Sequence, residues 1–266
     1  MTAPRVSVVM PVLRPHPEYF RAAVESIRRQ SLEDWELIVV EAESEVCAAA
    51  LLADDPRIRL LQELQPTSLI AQRNRGLREA RAPLVAMLDA DDLARPDRLA
   101  LQAAFFDGNP RTTVVGGQLE IIDGKGAHIG ARRYPLEHEV IVRAMSLYNP
   151  IAQSAAMLRR DLVLAAGGYS FSDDNTGEDY ELWSRLARAG HRFENLDRTL
   201  VSYRVHSDAT KATKLRAHLR STLQVKRTWW SDRLGFRGRA RMLGERALLH
   251  LPPALVLHAF RLLHYR

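Results

Sequence analysis

The chain has 266 residues, of which 46% are hydrophobic and 26% are charged; this profile fits one large folded domain, or a domain with an appendage, and excludes a disordered chain. Cys47 is the only cysteine, which excludes a disulfide framework and a zinc site made of several thiolates. The formal net charge of +6 is unevenly spread: residues 204–266 hold 14 Lys and Arg against 3 Asp and Glu, whereas residues 1–203 hold 24 against 29.

The first half of the chain alternates short apolar runs with helical patterns. Continuous apolar runs predict buried strands at 6–10, 35–40, 58–61 and 84–88. Apolar residues at helical spacing predict helices over 18–30, 46–53, 68–80 and 97–106. A strand, a helix and a second strand within 40 residues form a βαβ unit, so we expect a mainly parallel sheet flanked by helices.

The second half is less regular and ends in a basic segment. We predict strands at 114–117, 119–122, 155–158, 193–195 and 200–204, and helices over 161–166 and 178–189. From residue 208 on, the chain reads as helical and basic. The sequence therefore predicts an α/β domain over residues 1–207 and a basic, partly apolar helical extension over 208–266.

Three carboxylates follow the most apolar of the early strands, in the segment Leu88-Asp89-Ala90-Asp91-Asp92. Open α/β sheets bind ligands outside the carboxyl ends of their strands. In an extended segment Asp89 and Asp91 would point the same way, and paired carboxylates beside a phosphate suit Mg²⁺ or Mn²⁺. The alternative is a helix N-cap with acidic first-turn neighbours, because Arg95-Pro96-Asp97 and a predicted helix come next.

A second acidic cluster, Gly177-Glu178-Asp179-Tyr180-Glu181, opens a predicted helix. Carboxylates in the first turn are favoured by the helix dipole, and this alone explains them. A general base also needs one carboxylate held near a reacting hydroxyl.

These clusters belong to an ordered set of segments. The set comprises residues 6–12 with 23–27 and 30–31, 35–40, 71–77, 88–92, and 167–169 with 177–183 and 203–206. Taken together, the chain resembles the family 2 glycosyltransferases over about residues 5–207. The resemblance implies a GT-A fold, a Rossmann-like nucleotide-diphospho-sugar transferase core with a mixed, mainly parallel sheet, and an inverting reaction.

The resemblance also implies roles for individual residues. It implies that the donor nucleotide is bound by Pro11, Val12, Glu41, Arg73, Asp89 and Asp91. It implies that Asp179 is the general base, with Glu178 as its rival. One turn past Asp179, Trp183 is suited either to core packing or to stacking on a sugar. The implied cofactor is a divalent cation, Mn²⁺ or Mg²⁺, with Asp91, Asp89 and His206 as its ligands; an imidazole ligand suits Mn²⁺ better than Mg²⁺.

One segment departs from the family pattern. Many members have Asp-Asp-Gly-Ser after the second strand, where an Asp contacts the base, whereas this chain has Glu41-Ala42-Glu43-Ser44. Glu41 or Glu43 can still accept a hydrogen bond from a base N–H, with a reach longer by one carbon. The resemblance implies a UDP-sugar, and this departure leaves the base contact open between the two glutamates.

The extension carries most of the positive charge. Arginines and lysines over 211–246 are interrupted by Trp229-Trp230 and are followed by an apolar run at 248–257. This composition is typical of helices that lie in the plane of an anionic membrane surface; packing on the catalytic body or on a second subunit is the alternative. No nucleic-acid-binding motif is present. The sequence also lacks a signal-peptide pattern and a run of about 18 apolar residues, so we expect a cytoplasmic protein, free or peripheral on the inner face of the cell membrane.

The sequence thus predicts a metal-dependent inverting glycosyltransferase. Its expected partners are a nucleotide-sugar donor and a saccharide or lipid-linked saccharide acceptor of surface glycan synthesis. A nucleotidyltransferase would need a Gly-rich phosphate loop near residue 12, which Pro11-Val12-Leu13-Arg14-Pro15 does not provide. A catalytically silent nucleotide-sugar- or membrane-binding scaffold is the other alternative, and the presence of Asp89, Asp91 and Asp179 argues against it.

Overall fold

A computed structural model describes residues 3–42, 47–63, 65, 67–170, 176–206 and 215–249. The strands are β1 (Val6–Val12), β2 (Trp35–Glu41), β3 (Ile58–Gln62), β4 (Leu84–Met87), β5 (Leu93–Ala94), β6 (Thr112–Ile122), β7 (His128–Arg132), β8 (Met157–Arg159) and β9 (Arg192–Arg204). The helices are α1 (Pro17–Arg28), α2 (Leu69–Glu79), α3 (Arg98–Gly108), α4 (His138–Ala144), α5 (Arg160–Ala165), α6 (Glu178–Arg188), α7 (Leu215–Val225) and α8 (Phe236–Leu248). Short 3-10 turns lie at Ala48–Leu51 and Gln153–Ala155.

The nine strands of the described residues belong to one mixed sheet. The order is β3-β2-β1-β4-β8-β6-β9-β5, and β7 pairs with β6. The first four strands in this order are parallel, and β8 runs antiparallel between β4 and β6. Strands β1, β2 and β4 are buried along their whole length, which is why they read as continuous apolar runs. The predicted α/β fold with a mixed sheet between helices is confirmed.

The core has one layer on each face of the sheet. Helices α1 and α3 contribute apolar side chains to one layer, including Phe20, Ile27 and Phe106. Helices α2 and α6 contribute to the other, which includes Leu77 and Trp183. Trp183 is fully buried and meets the rings of Tyr169 and Phe193 edge-on at 6.5 Å. Its role is therefore core packing, and the alternative of stacking on a sugar is wrong.

The C-terminal helices pack against the α/β body. Helix α7 continues through a π-helical turn, Lys226–Trp230, before α8 begins. Trp230 is buried, and its Nε1 donates to Ser184 Oγ on α6 at 2.9 Å. The predicted domain boundary at 207/208 lies outside the described residues, so it stays a prediction. Among the helices that the structure describes, none combines the length and the apolar character that crossing a bilayer requires.

Candidate functional site

The chain turns immediately after β4, at the carboxyl end of the parallel strands. Ala90 and Asp91 form a turn in which the Asp92 N–H donates to the Asp89 carbonyl at 3.2 Å. The prediction that Asp89 and Asp91 point the same way in an extended segment is therefore wrong. The N-cap alternative is also wrong, because β5 follows and α3 begins only at Arg98.

Arg73 joins the two acidic clusters. It lies on α2, its side chain is 3% exposed, and its guanidinium bonds Asp89 Oδ1 at 3.0 Å and the carboxylate of Glu178. Burial alone lowers the pKa of Arg73, but the carboxylates of Glu178 and Asp89 outweigh it and raise the pKa above its ordinary value. The acidic cluster at the end of β4 and the acidic cluster at the start of α6 are thus both paired with the buried guanidinium of Arg73.

The two candidate bases have different surroundings. Glu178 is buried and paired with Arg73; burial raises the pKa of Glu178, while Arg73 opposes that effect. Asp179 is half-buried, its Oδ1 accepts from the Tyr180 N–H at 2.7 Å, and its Oδ2 accepts from Asn149 Nδ2 at 2.8 Å. Only Asp179 is therefore accessible without breaking an ion pair. Asn149 carried no signal in the sequence, because it lies in a loop that no motif covers.

Asp91 faces the end of β9 rather than Arg73. Its Oδ2 lies 2.9 Å from His206 Nε2, and its backbone carbonyl accepts from Arg204 Nε at 3.0 Å. The Arg204 guanidinium stacks over the Tyr19 ring at 4.4 Å, and the Tyr19 and His206 rings lie 5.3 Å apart. The structure therefore brings the predicted pair Asp91 and His206 together, with aromatic cover from α1.

Asp92 supports this arrangement from inside the protein. It is fully buried, and its Oδ1 accepts from the Arg204 N–H at 2.8 Å. Burial, together with the neighbouring charges of Asp91 and Asp89, raises the pKa of Asp92 well above its ordinary value. Asp92 thus fixes the backbone next to His206, a role that the D-x-D spacing did not indicate.

The residues implied as metal ligands form a partial set. Within the described ranges, no group of three or more His, Cys, Asp or Glu side chains is arranged to hold a metal ion. Asp91 and His206 offer adjacent oxygen and nitrogen donors, whereas Asp89 is bonded to Arg73. This donor pair fits two ligand positions of a divalent cation, whose other ligands would have to come from groups other than these side chains.

The ends of β1 and β2 form the predicted nucleotide side of the site. Pro11 and Val12 are buried, and Gln72 Nε2 donates to the carbonyls of Val12 at 2.8 Å and Val40 at 3.1 Å. Glu41 is buried, and its carboxylate accepts from the Ala48 N–H and from Gln62 Nε2. Cys47 Sγ also donates to Glu41 Oε2 at 3.7 Å, so of the roughly four acceptor positions of the carboxylate about one is left for a base N–H. Glu43, the other candidate, lies outside the described residues.

The turn that follows α5 is fixed by Asn74, which lies in the segment 71–77. Asn74 on α2 donates to the Tyr169 carbonyl at 2.7 Å and accepts from the Tyr169 N–H at 2.8 Å. Gly168 has φ +66°, and a Cβ there would lie 2.5 Å from Asn74 Oδ1. The Gly167-Gly168-Tyr169 segment therefore needs glycine at position 168, and Asn74 ties this segment to α2.

A separate groove of about 770 Å³ lies between α7 and α8. Its lining combines exposed arginines with apolar side chains: Arg220, Arg227 and Arg246 with Leu223, Met242, Leu243 and Leu249. None of the three arginines forms an ion pair within the described part of the chain. This surface is cationic and apolar, in contrast to the acidic site at the end of the sheet.

Comparison with known proteins gives a family match. Residues 7–165 match the family model described as Glycosyl transferase family 2. The matched range contains Arg73, Asp89 and Asp91 and ends before Glu178 and Asp179.

Individual relatives agree with this match. The chain is 31% identical to the putative glycosyltransferase EpsE of Bacillus subtilis, over 79% of this chain and 76% of that protein. It is 27% identical to the O-antigen biosynthesis glycosyltransferase WbnJ of Escherichia coli, over 79% of this chain and 83% of that protein. It is 26% identical to the amylovoran biosynthesis glycosyltransferase AmsE of Erwinia amylovora, over 79% and 80%.

The fold is shared with a solved structure. A crystal structure of S. aureus TarS 1-349 superposes with a TM-score of 0.63 at 17% identity, over 92% of this chain and 71% of that one. At this identity the likeness shows a common fold and nothing finer. The expected fold class is thereby confirmed.

Proposed function

Because the chain belongs to glycosyl transferase family 2 and has the GT-A fold, we propose that it is an inverting, metal-dependent glycosyltransferase. It moves a sugar from a nucleotide-diphosphate donor, a UDP-sugar, to a hydroxyl of a saccharide or lipid-linked saccharide. The observation that carries the proposal is the shared guanidinium of Arg73, which bonds Asp89 and Glu178. Arg73 thereby connects Asp89, which is proposed to bind the donor, with the start of α6, where the proposed base acts on the acceptor. The two therefore belong to one site.

The proposed general base is Asp179. Its carboxylate takes the proton of the acceptor hydroxyl while that oxygen attacks the anomeric carbon, and the bond from this carbon to the diphosphate breaks. Attack from the opposite face in one displacement inverts the anomeric centre, and it needs one base rather than a nucleophile and an acid. The half-buried position of Asp179 supports this choice over Glu178, which is occupied by Arg73.

The proposed metal ligands on the protein are Asp91 and His206. A divalent cation bound there would neutralise the charge that develops on the departing diphosphate. The short distance of 2.9 Å between the two donor atoms supports their joint role. Asp92 and Arg204 hold the two backbone segments together, and Asp89, in the same turn as Asp91, pairs with Arg73.

The donor nucleotide is proposed to lie at the ends of β1 and β2. Pro11 and Val12 form its wall, and Gln72 fixes that wall through the Val12 carbonyl. Glu41 is a candidate contact to the base. Arg73 would exchange part of its bonding with Asp89 for a phosphate oxygen, since guanidinium groups bind phosphates in the same two-point manner as carboxylates.

The acceptor is proposed to be a growing surface glycan or a lipid-linked saccharide. The relatives named for O-antigen and amylovoran biosynthesis support a role in polysaccharide synthesis. The groove between α7 and α8 supports a peripheral position on an anionic membrane, because its exposed arginines and leucines suit the lipid interface. We therefore propose the cytoplasmic face of the cell membrane as the place where enzyme and acceptor meet.

A donor screen followed by one substitution tests the proposal. Purified protein with Mn²⁺ is assayed for hydrolysis of a panel of nucleotide sugars, and transfer is then measured for Asp179→Asn. We expect loss of transfer with nearly unchanged donor affinity, because the amide cannot accept the proton. Asp161→Asn, at the equivalent first-turn position of α5, is the control and should behave like the wild type. Donor binding without any transfer by the wild type would instead indicate a catalytically silent scaffold.

A further inference from the structure

Helix α7 touches the turn that carries the candidate base. Gly177 is the N-cap of α6 and has φ +77°, a conformation that favours glycine. A Cβ at Gly177 would lie 3.0 Å from Ser221 Cβ, on α7. The C-terminal extension is therefore in close contact with the residue that precedes Glu178 and Asp179.

A buried hydrogen bond accompanies this contact. Thr176 Oγ1 and Ser221 Oγ lie 2.9 Å apart, and both side chains are buried. Because buried hydroxyls need partners, this bond fixes the position of Thr176 relative to α7. Thr176 lies three residues before Asp179, so its position sets where the first turn of α6 begins.

A second attachment lies further along α6. Trp230 donates to Ser184 Oγ at 2.9 Å, and Arg188 pairs with Asp232 at 2.9 Å. These bonds hold the later turns of α6, whereas Ser221 holds its start. The extension therefore contacts α6 at two separate levels, and the two can be tested independently.

We propose that Ser221 is a positioning residue for catalysis: through Thr176 and Gly177 it sets the place of Asp179 relative to the reacting hydroxyl. This inference rests on the proposed role of Asp179 as the general base. Asp179 is half-buried at the N-terminus of a helix, so its carboxylate moves when the helix start moves. A displacement of about 1 Å can cost up to about a hundredfold in rate.

The test compares two attachments of the same kind. Ser221→Ala and Thr176→Val each remove the bond at the start of α6, whereas Ser184→Ala removes the bond from Trp230 further along. We expect the first two variants to lower kcat about tenfold. Donor KM should stay within about twofold of the wild type, because neither variant substitutes a residue that is proposed to bind the donor. The double variant should be no slower than the slower single variant, since both single variants remove the same Thr176–Ser221 bond. Thr176→Ser keeps the hydroxyl and should retain wild-type kcat.

Ser184→Ala is the matched control. We expect it to lower Tm about as much as Ser221→Ala while leaving kcat within about twofold of the wild type. If the two variants lower kcat equally, or if Ser221→Ala leaves kcat unchanged, Ser221 has only a structural role and the inference is wrong. A wild type that transfers no sugar from any donor is a different result, because it contradicts the proposed function itself.

Discussion

Asn149 holds one oxygen of the proposed base. Its Nδ2 donates to Asp179 Oδ2 at 2.8 Å, so the carboxylate has one preferred rotation. We expect Asn149→Ala to lower kcat about tenfold while donor affinity stays unchanged, because the base is still present but less well oriented. Steady-state kinetics and calorimetric titration of the donor would measure the two effects.

A control for this substitution is Asn109→Ala. The Asn109 amide donates to the Phe105 carbonyl at 2.9 Å in an exposed turn, so its loss should leave kcat as in the wild type. A fall in donor affinity with kcat preserved in Asn149→Ala would show that Asn149 contacts the donor instead of orienting Asp179.

Asp55 provides a pH-dependent contribution to stability. Hydrogen bonds from Arg57 lower the pKa of Asp55 from its ordinary value of 3.8. Because the folded state favours the ionised form, the stabilisation is present above the unfolded-state pKa and is lost as pH falls through the folded-state pKa. We expect Asp55→Asn to be less stable than the wild type near neutral pH and to approach it in acid.

Urea unfolding at pH values on both sides of 3.8 would measure this difference. Asp54→Asn is the matched control, because Asp54 is exposed and makes no ion pair with the described residues. A constant difference between the wild type and Asp55→Asn at all pH values would contradict the assignment.

Motif residues and supporting residues of the site differ in how well the sequence indicates them. Arg73, Asp89, Asp91 and Asp179 were predicted because each lies in a short segment that matches the family 2 glycosyltransferases. Asn149 was not predicted, because it reaches Asp179 from a loop 30 residues away in the chain. Contacts of this kind depend on how loops close over the sheet, and no local pattern records that.

Helix α2 packs on the sheet through a glycine. A Cβ at Gly76 would overlap the side chain of Val9 on β1, so this contact admits no larger residue without a shift. We expect Gly76→Ala to lower the free energy of unfolding by about 1–3 kcal/mol, as overpacking usually does. Chemical denaturation would show a lower midpoint.

Two further variants separate overlap from helix propensity. Gly76→Ala combined with Val9→Ala should cost less than the sum of the single changes, because the smaller side chain removes the overlap. Gly108→Ala is the control, since nothing lies within 4 Å of a Cβ at the end of α3; it should be neutral or stabilising by up to about 1 kcal/mol. Equal effects of Gly76→Ala and Gly108→Ala would exclude the packing explanation.

The parallel strands were easier to predict than the rest of the sheet. Their continuous apolar runs follow from burial on both faces, and the predicted bounds lie within two residues of the observed ones. In contrast, 114–117 and 119–122 were predicted as two strands and form one strand, β6. Gly116 weakens the local pattern, but a Cβ there would overlap Asn195 on β9, so the glycine permits close pairing and does not end the strand.

Other elements were missed for related reasons. Strand β9 was predicted as two pieces because Asp197 and Arg198 interrupt its apolar pattern. The two pieces form one continuous strand, because both pair with β6. Strand β5 has two residues, and β7 is mostly exposed on β6. The helix predicted over 46–53 is a 3-10 turn in its described part, Ala48–Leu51. Short or one-sided elements depend on tertiary pairing rather than on periodicity.

The whole molecule combines an acidic site at the end of the sheet with a cationic surface on its C-terminal helices. The residues between β4 and β5 bear three carboxylates, while the groove of α7 and α8 bears three exposed arginines without described ion-pair partners. Exposed apolar side chains lie on the same helices: Phe236 is 88% exposed and Leu243 is 65% exposed. Charge and apolar exposure together favour an anionic lipid surface over a purely ionic partner.

Vesicle binding tests this surface directly. We expect the full chain to bind phosphatidylglycerol vesicles at low salt. We expect it not to bind phosphatidylcholine vesicles. Arg220→Gln, Arg227→Gln and Arg246→Gln in one protein should weaken binding about a hundredfold, since each arginine near an anionic surface contributes about 1 kcal/mol. The measurement is co-sedimentation over a range of lipid concentrations.

A matched control distinguishes the effect of the protein's net charge on vesicle binding from the effect of where the arginines lie. Arg21, Arg78 and Arg111 are exposed and lie on the α/β body, so replacing all three with Gln removes the same charge elsewhere. If the groove is the contact surface, this control keeps most of the affinity, because charges beyond a Debye length of about 10 Å from the lipid are screened. Equal losses of affinity in the two triple variants would show that binding depends on net charge alone. If the full chain does not bind anionic vesicles at low salt, the membrane role is wrong, and packing against a second subunit is the remaining alternative for this surface.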